Sequence, residues 1–559
     1  MSSKAYYKME EIGAGKPGFA KTRSIIEAAF YGNNVVKINN LEEAYNLAKN
    51  APGAIVTDMP VFQGEKFGVP KDAKVILFND GGITGRYAPA RRIAGEPNVD
   101  CDGLDKIVMD AVYYARNKKL YHAETIIGLD PEFMVKAHLL IPEGEETLLY
   151  SWMLNFQYFS QEYKTMYQNS KPVGSEPDIY VFADPQWRGT SRSDISDPKY
   201  LTYFNPMTNC AAILGMRYFG ELKKGTLTLA WAIASRNGYA SCHGGQKEYE
   251  LKDGKKYVAS VFGLSGTGKS TLTHAKHNGK YENITVLHDD AFIINSETCS
   301  SIALEPSYFD KTADYPTSSP DNKYLITVQN CSATMNDKGE VVIVTEDIRN
   351  GNGRAIKSKL WSPNRVDRID SPVNGIFWLM KDPTIPPIVK LKGAALASVM
   401  GATLATKRSS AERLQKHVDP NALVVEPYAN PFRTYPLGTD YEKFKNLVQN
   451  KNVDCYILNT GEFMGKKVTA KDTIAILESV VEGTAKFVPW GPFSDIEILE
   501  WEGFIPDLND EYYKEQLKRR MEDRLEFVKS RDTFKGGYDK LPEDAHKAVE
   551  KVVKEINSI

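Results

Sequence analysis

The chain has few cysteines and no close pair of them. Cys101, Cys210, Cys242, Cys299, Cys331 and Cys455 all stand more than 30 residues apart. That spacing excludes a zinc ribbon or a thioredoxin-type pair, and scattered thiols in so long a chain point to a reducing compartment. An excess of charge is also missing: 70 Lys and Arg stand against 72 Asp and Glu, a formal charge of −2. No local basic patch replaces it, so nucleic acid is not an expected partner. Long hydrophobic runs are absent too. The longest stretch of low polarity, Gly393 to Ala405, has 13 residues, short of the roughly 20 that cross a bilayer. It reads as a buried helix, and no membrane partner is expected. The opening residues, Met1-Ser-Ser-Lys, lack the apolar core of a signal peptide, so the expectation is a soluble, cytoplasmic protein. No repeat of fixed period and no low-complexity segment is visible.

What remains is an ordinary globular composition, 42% apolar and 25% charged, which excludes wholesale disorder. The length is enough for three to four average domains, or two large ones. Apolar spacing predicts helices over 21–31 and 41–49, and the β-branched run Lys74 to Phe78 predicts a strand that ends in the glycine-bearing segment Asn79 to Arg86. The stretch Asn169 to Asp197, rich in Ser, Pro, Gly and Asp, reads as a long surface connection. A composition shift near Arg236 to Tyr239 places the main boundary, giving lobes 1–238 and 239–559. Near the C-terminus, Asn509-Asp510 is a candidate N-cap. Tyr513, Leu517, Met521, Leu525 and Val528 follow at helical spacing, which predicts an amphipathic packing helix.

One motif carries chemistry by itself. Gly263-Leu264-Ser265-Gly266-Thr267-Gly268-Lys269-Ser270 matches G-x-x-x-x-G-K-[ST] in full, after the strand pattern Tyr257 to Phe262 and before Thr271, where a helix can begin. In such a P-loop the glycines turn successive N–H groups into one concavity around phosphates. The lysine reaches the β/γ-phosphates and the serine hydroxyl can ligate Mg²⁺. A metal-bound nucleotide also needs carboxylates, and Asn283 to His288 is a strand pattern ending in Asp289-Asp290, 20 residues beyond Ser270. Upstream lie Tyr218, the Gly-Glu-Leu-Lys223-Lys224-Gly225 segment, and Ser241-Cys-His243. By composition alone the paired lysines read as solvent-facing, and the lone histidine as a core or surface residue.

Taken together, Tyr218 with Gly-Glu-Leu-Lys-Lys-Gly225, the P-loop, Asp289-Asp290, Thr84-Gly-Arg86, and Asn459-Thr-Gly461 continuing to Lys471-Asp-Thr473 resemble ATP-dependent phosphoenolpyruvate carboxykinases from about residue 70 onward. No cysteine stands in the P-loop, which separates the chain from the GTP-dependent class. The resemblance implies an α/β fold of two lobes: a mixed α/β N-terminal substrate lobe and a C-terminal P-loop lobe for mononucleotide and metal. It implies conversion of oxaloacetate and ATP to phosphoenolpyruvate, ADP and CO₂ through a metal-stabilised enolate. Lys224, His243 and Asp290 look like the ligands of a catalytic Mn²⁺, the lysine being neutral because the cation depresses its pKa. Arg86 resembles the arginine that holds the substrate carboxylate and the CO₂, and Arg354 the one that neutralises the transferring phosphoryl group. Lys269 would act on the phosphates. Tyr218 and Lys223 would line the phosphoenolpyruvate pocket, and Asp289 would back the Mg²⁺ shared by Ser270 and ATP. Lys467 and Thr473 stand where the family contacts ribose and adenine.

Several positions depart from the family pattern. Arg86 is followed by Tyr-Ala-Pro-Ala-Arg-Arg92 rather than Ser-Pro-Lys-Asp. His288 replaces a glycine before the aspartates, Ala291-Phe292 replaces acidic and aromatic residues after them, and Lys467 stands for an arginine. Arg354 shares its region with Lys357, Lys359, Arg365 and Arg368. Two other readings therefore stay open: a different small-carboxylic-acid kinase on the same scaffold, and a nucleotide-regulated binding protein without turnover. The oligomeric state is open as well.

Overall fold

A computed structural model of the chain describes residues 2–13, 17–79, 85–156, 161–191, 199–264, 266–346, 353–407 and 423–558. Thr84 and Ser265 lie outside the described residues, as does most of the segment leading into Arg354. The fold is mixed α/β and divides into two compact units. Among the described residues the first holds those within 2–233 and 304–363; the second holds those within 234–303, 364–407 and 423–558. One cut after residue 238 was the expectation from composition. The contacts place the first crossing at Ile233/Ala234, inside the helix Phe219–Arg236, and return Leu304–Pro363 to the first unit.

The first unit carries a seven-stranded sheet. Its order runs Val35–Ile38, Leu120–Asp130, Phe133–Pro142, Ile179–Asp184, Cys210–Leu214, Leu201–Asn205, Arg91–Ile93. A five-stranded sheet of the same unit includes Lys74–Phe78, Leu325–Gln329 and Arg354–Lys357. The helices Lys21–Ala29 and Leu41–Ala48 form where the apolar spacing places them, the second capped by the Asn40 side chain, which accepts from the Glu43 N–H. The surface connection expected over Asn169 to Asp197 is corrected. Within it Ile179–Asp184 is a strand with every residue buried, paired on both sides. A five-residue apolar run, Ile179 to Ala183, is enough for a central strand, and the flanking Pro and Gly residues disguise it.

The second unit is built on an eleven-stranded sheet in which Tyr239–Glu250 is the hub. That strand pairs antiparallel with Lys256–Phe262, Asn283–His288 and Ala291–Asn295. Lys256–Phe262 then runs parallel to Gly375–Met380, which runs parallel to Asp454–Asn459. The low-polarity stretch forms the helix Ala394–Ala402, buried from Leu396 onward. Among the described residues no helix is long and apolar enough to cross a membrane. The C-terminal helix spans Glu511–Ser530, with the Asp510 carboxylate accepting from the N–H groups of Tyr512 and Tyr513. Its buried stripe is Tyr513, Leu517, Met521, Arg524 and Val528, so Arg524 takes the place expected for Leu525. The reason is a partner: Arg524 Nη2 lies 3.1 Å from the buried Asp382 carboxylate.

Candidate active site

In the second unit three chain segments meet at one end of the hub strand. The register sets Gly244 opposite Phe262, the last residue before the glycine loop, and His243 opposite Ala291, the first residue after the aspartates. The Gly244 N–H donates to the Asp290 carbonyl at 3.1 Å. A Cβ on Gly244 would come 2.6 Å from the Val261 carbonyl oxygen, and one on Gly245 would collide with the Thr273 hydroxyl. Sequence reasoning passed over this glycine pair: Gly244 lets the strand Lys256–Phe262 approach the hub strand, and Gly245 the short helix after the loop.

The loop itself has the conformation its glycines allow. Gly266 and Gly268 stand at φ +83° and +91° with open space around them, so backbone conformation rather than room demands glycine there. At Gly263 room decides, since a Cβ would strike the Thr267 hydroxyl and lie 2.9 Å from Leu379 Cβ. Thr267 closes the turn by donating its hydroxyl to the Leu264 carbonyl at 2.7 Å. The helix Lys269–His274 follows, with Ser270 and Thr271 exposed at its start. Lys269 Nζ stands 4.0 Å from Asp290 Oδ1.

His243 and Asp290 face one another. His243 Nδ1–H donates to the Ala429 carbonyl at 2.5 Å, which turns Nε2 towards Asp290 Oδ1, 3.0 Å away. Phe432 packs edge-on against the ring at 5.5 Å. Fixing one ring nitrogen on a carbonyl is how a histidine is oriented to present the other to a metal. Asp289 is buried, with His274 Nε2 3.5 Å from its Oδ2. Burial pushes its carboxyl up, but His274, His288 and Lys269 outweigh that and hold it well below the usual carboxylate range. His288, where the family pattern has glycine, is fully buried and shapes the turn: its Nδ1 accepts from the N–H groups of Asp290 and Ala291 at 3.1 and 3.3 Å. In the same unit Thr473 is buried and donates its hydroxyl to the Thr469 carbonyl at 3.1 Å. Lys467 is exposed on the short strand Lys466–Lys467.

The first unit holds the remaining candidates. Helix Phe219–Arg236 begins at the Gly-Glu-Leu-Lys-Lys-Gly segment, its Phe219 N–H received by the Gln329 side chain at 3.1 Å. Lys223 is fully buried 2.9 Å from the Glu305 carboxylate. Lys224 is half-buried, its ammonium 5.5 Å from the centre of the Trp231 ring. Tyr218 is buried beside Arg354; burial raises its hydroxyl pKa and the guanidinium only partly offsets this. Arg354 is buried and donates from Nη1 to the Gly353 carbonyl at 3.1 Å. Its basic neighbours are committed elsewhere: Lys357 to Asp310 at 3.0 Å, Arg365 to Asp367 at 2.6 Å and Arg368 to Asp370 at 2.6 Å. Arg86 is half-buried, and its charge is felt by Arg91. Arg91, inside the segment that departs from the family pattern, forms a buried ion pair with Glu221 at 2.9 Å. That pair ties the Arg86 segment to the start of the Lys223-Lys224 helix, a link no local motif reveals.

The family model for phosphoenolpyruvate carboxykinase matches residues 94–498. The chain belongs to that family. Every site residue named above lies inside the matched range except Arg86, just before it. Among the relatives is a phosphoenolpyruvate carboxykinase (ATP) of Aeropyrum pernix, 26% identical over 457 residues, covering 77% of this chain and 84% of the relative. One from Bradyrhizobium diazoefficiens is 23% identical over 459 residues, covering 78% of each. A Candida glabrata enzyme of the same name is 26% identical over 255 residues, 42% of this chain and 44% of its own. At these identities the chain is a divergent member of that family.

Proposed function

We propose that the protein converts oxaloacetate and ATP to phosphoenolpyruvate, ADP and CO₂, as an ATP-dependent carboxy-lyase. The observation that carries this reading is the meeting of the glycine loop, Lys269, His243 and Asp290 at one end of the hub strand. In this reading the second unit is the nucleotide and metal lobe and the first is the substrate lobe.

The donor set fits a divalent cation: an imidazole nitrogen with its other nitrogen pinned, and a carboxylate oxygen 3.0 Å from it. His243, Asp290 and Lys224 would hold Mn²⁺, and Ser270, with Asp289 behind it, would hold the Mg²⁺ of the nucleotide. A cation held there would stabilise negative charge on the enolate oxygen as a Lewis acid. Arg86 binds the substrate carboxylate, so that loss of CO₂ sends the electron pair of the broken C–C bond towards the keto oxygen. That oxygen attacks the γ-phosphorus in line, and the bond to the ADP oxygen breaks. Lys269 and Arg354 balance the charge on the moving phosphoryl group, whose transfer depends mainly on placement and charge. Tyr218 lines the phosphoenolpyruvate pocket with Lys223 behind it, where the Glu305 pair fixes the helix that presents Lys224. Lys467 and Thr473 flank the ribose and adenine. Six cysteines outside any disulfide, five of them buried, fit a cytoplasmic setting.

A coupled assay with oxaloacetate, ATP and Mn²⁺, run beside malonate and other keto acids, tests the reading. Turnover confined to oxaloacetate supports it, and turnover only with another acid overturns it.

A further inference from the structure

A second group of metal-ligating side chains lies in the first unit, in the middle of the seven-stranded sheet. Strands Leu120–Asp130 and Phe133–Pro142 pair antiparallel with Glu124 directly opposite His138. His122 is two residues before Glu124, so all three side chains emerge on one face. Their ligand atoms lie within 4.8 Å of one another. His122 Nε2 is 3.0 Å from His138 Nδ1, and that nitrogen is 3.6 Å from Glu124 Oε1.

We infer that His122, Glu124 and His138 form a separate Zn²⁺ site, using two imidazole nitrogens and one carboxylate oxygen. Tetrahedral ligands at zinc bond lengths stand about 3.3 Å apart. Two of the three separations, 3.0 and 3.6 Å, bracket that value, and the third lies within 4.8 Å, so side-chain adjustments alone bring the three atoms round one ion. The His138 tautomer is already set for it, and Zn²⁺ would replace the proton that His122 Nε2 donates to that ring. The buried Asp178 carboxylate accepts from His138 Nε2–H at 3.0 Å, which leaves Nδ1 as a lone pair facing the other two ligands. Ser3 donates to the same carboxylate. This is the carboxylate–histidine–metal arrangement that orients zinc-binding histidines. The rings are held as well, with Tyr180 stacked on His138 at 4.3 Å and Phe30 edge-on to His122 at 5.0 Å.

The donor types favour the same ligand. Lys37 pairs with Glu124 Oε1 at 2.9 Å, yet its side chain is half exposed and can swing into water; such pairs contribute only about 0–1 kcal/mol. Two imidazoles and a carboxylate select Zn²⁺ over Mg²⁺, which prefers an all-oxygen octahedron. Bound Zn²⁺ would cross-link the two longest strands of the sheet and tie them to Asp178.

The test uses the full-length protein, stripped with chelator and titrated with Zn²⁺ against a chromophoric competitor. His243→Ala removes a proposed catalytic ligand and should retain the Zn²⁺ equivalent described here. Adding His122→Ala to it should abolish that equivalent. In the same background Glu124→Gln should weaken it by about tenfold or more, and Asp178→Asn by about 10- to 100-fold. Zn²⁺ should also raise the melting temperature in the His243→Ala background and not in the double variant. If His122→Ala does not fold, the near-isosteric Glu124→Gln decides alone. Equal Zn²⁺ stoichiometry and affinity with and without Glu124→Gln would overturn the assignment.

Discussion

Replacing His243 with alanine separates a metal ligand from an ordinary buried histidine. The side chain makes two directional contacts, Nδ1–H to the Ala429 carbonyl at 2.5 Å and Nε2 to Asp290 Oδ1 at 3.0 Å. Losing the first deprives a backbone acceptor of its donor, which costs about 1–3 kcal/mol of folding stability. That loss is expected whether or not a metal binds, so a lower melting temperature decides nothing. The second contact is the informative one. With Nε2 gone the proposed site would keep Asp290 and Lys224 alone, and Mn²⁺ affinity should fall by about ten- to a hundredfold, or about 1.4–2.8 kcal/mol. Electron paramagnetic resonance of free Mn²⁺ over folded protein measures this directly. ATP binding with Mg²⁺ should change little, because the glycine loop and Ser270 are untouched. Adding Asp290→Asn should cost far less than the product of the single effects, as expected when both residues serve one ion. Unchanged Mn²⁺ affinity in folded His243→Ala would refute the reasoning.

Three further outcomes follow from the same geometry. Lys269→Ala removes the cation nearest the phosphates and should lower kcat by about a hundredfold or more in the coupled assay; wild-type turnover would sink the loop's assignment. With no cysteine between Gly263 and Ser270, kcat/KM should favour ATP over GTP, and equal values would count against the ATP class. Lys247, buried 2.9 Å from His277 Nε2, has its pKa pushed down from 10.5 to about 7 by burial. The folded state therefore binds fewer protons than the unfolded one between those values, and stability should rise with pH from about 7 towards 10.5. Lys247→Met should flatten that rise in denaturant titrations, and an unaltered slope would contradict the burial argument.

Local signals were legible and distant partners were not. The glycine loop, the strand Asn283–His288 and the Asp510 cap could be read because each depends on residues a few positions apart. Ile179–Asp184 was hidden among turn formers, although the sheet buries it on both faces. Arg524 looked like the polar neighbour of Leu525, yet Asp382, more than a hundred residues away, draws it inward. The Arg91–Glu221 pair and the Lys223–Glu305 pair have no sequence signature, because opposite charges find each other only after the chain has folded. The Gly244-Gly245 pair did carry a signal: two adjacent glycines in a long strand mark a close approach, here that of the strand Lys256–Phe262 at Gly244 and of the helix Lys269–His274 at Gly245. His288 shows how a departure from the family pattern can be absorbed. Its ring accepts the two N–H groups that shape the aspartate turn, so a larger residue serves where glycine is usual.

The central claim is that these residues couple loss of CO₂ to phosphoryl transfer. Phosphorus NMR of the protein with oxaloacetate, ATP, Mg²⁺ and a low level of Mn²⁺ tests it most directly. The γ-phosphate signal should decline as phosphoenolpyruvate and ADP grow in equal amounts, and Lys269→Ala should slow all three together. Growth of inorganic phosphate in place of phosphoenolpyruvate, or loss of oxaloacetate with ATP intact, would contradict the account.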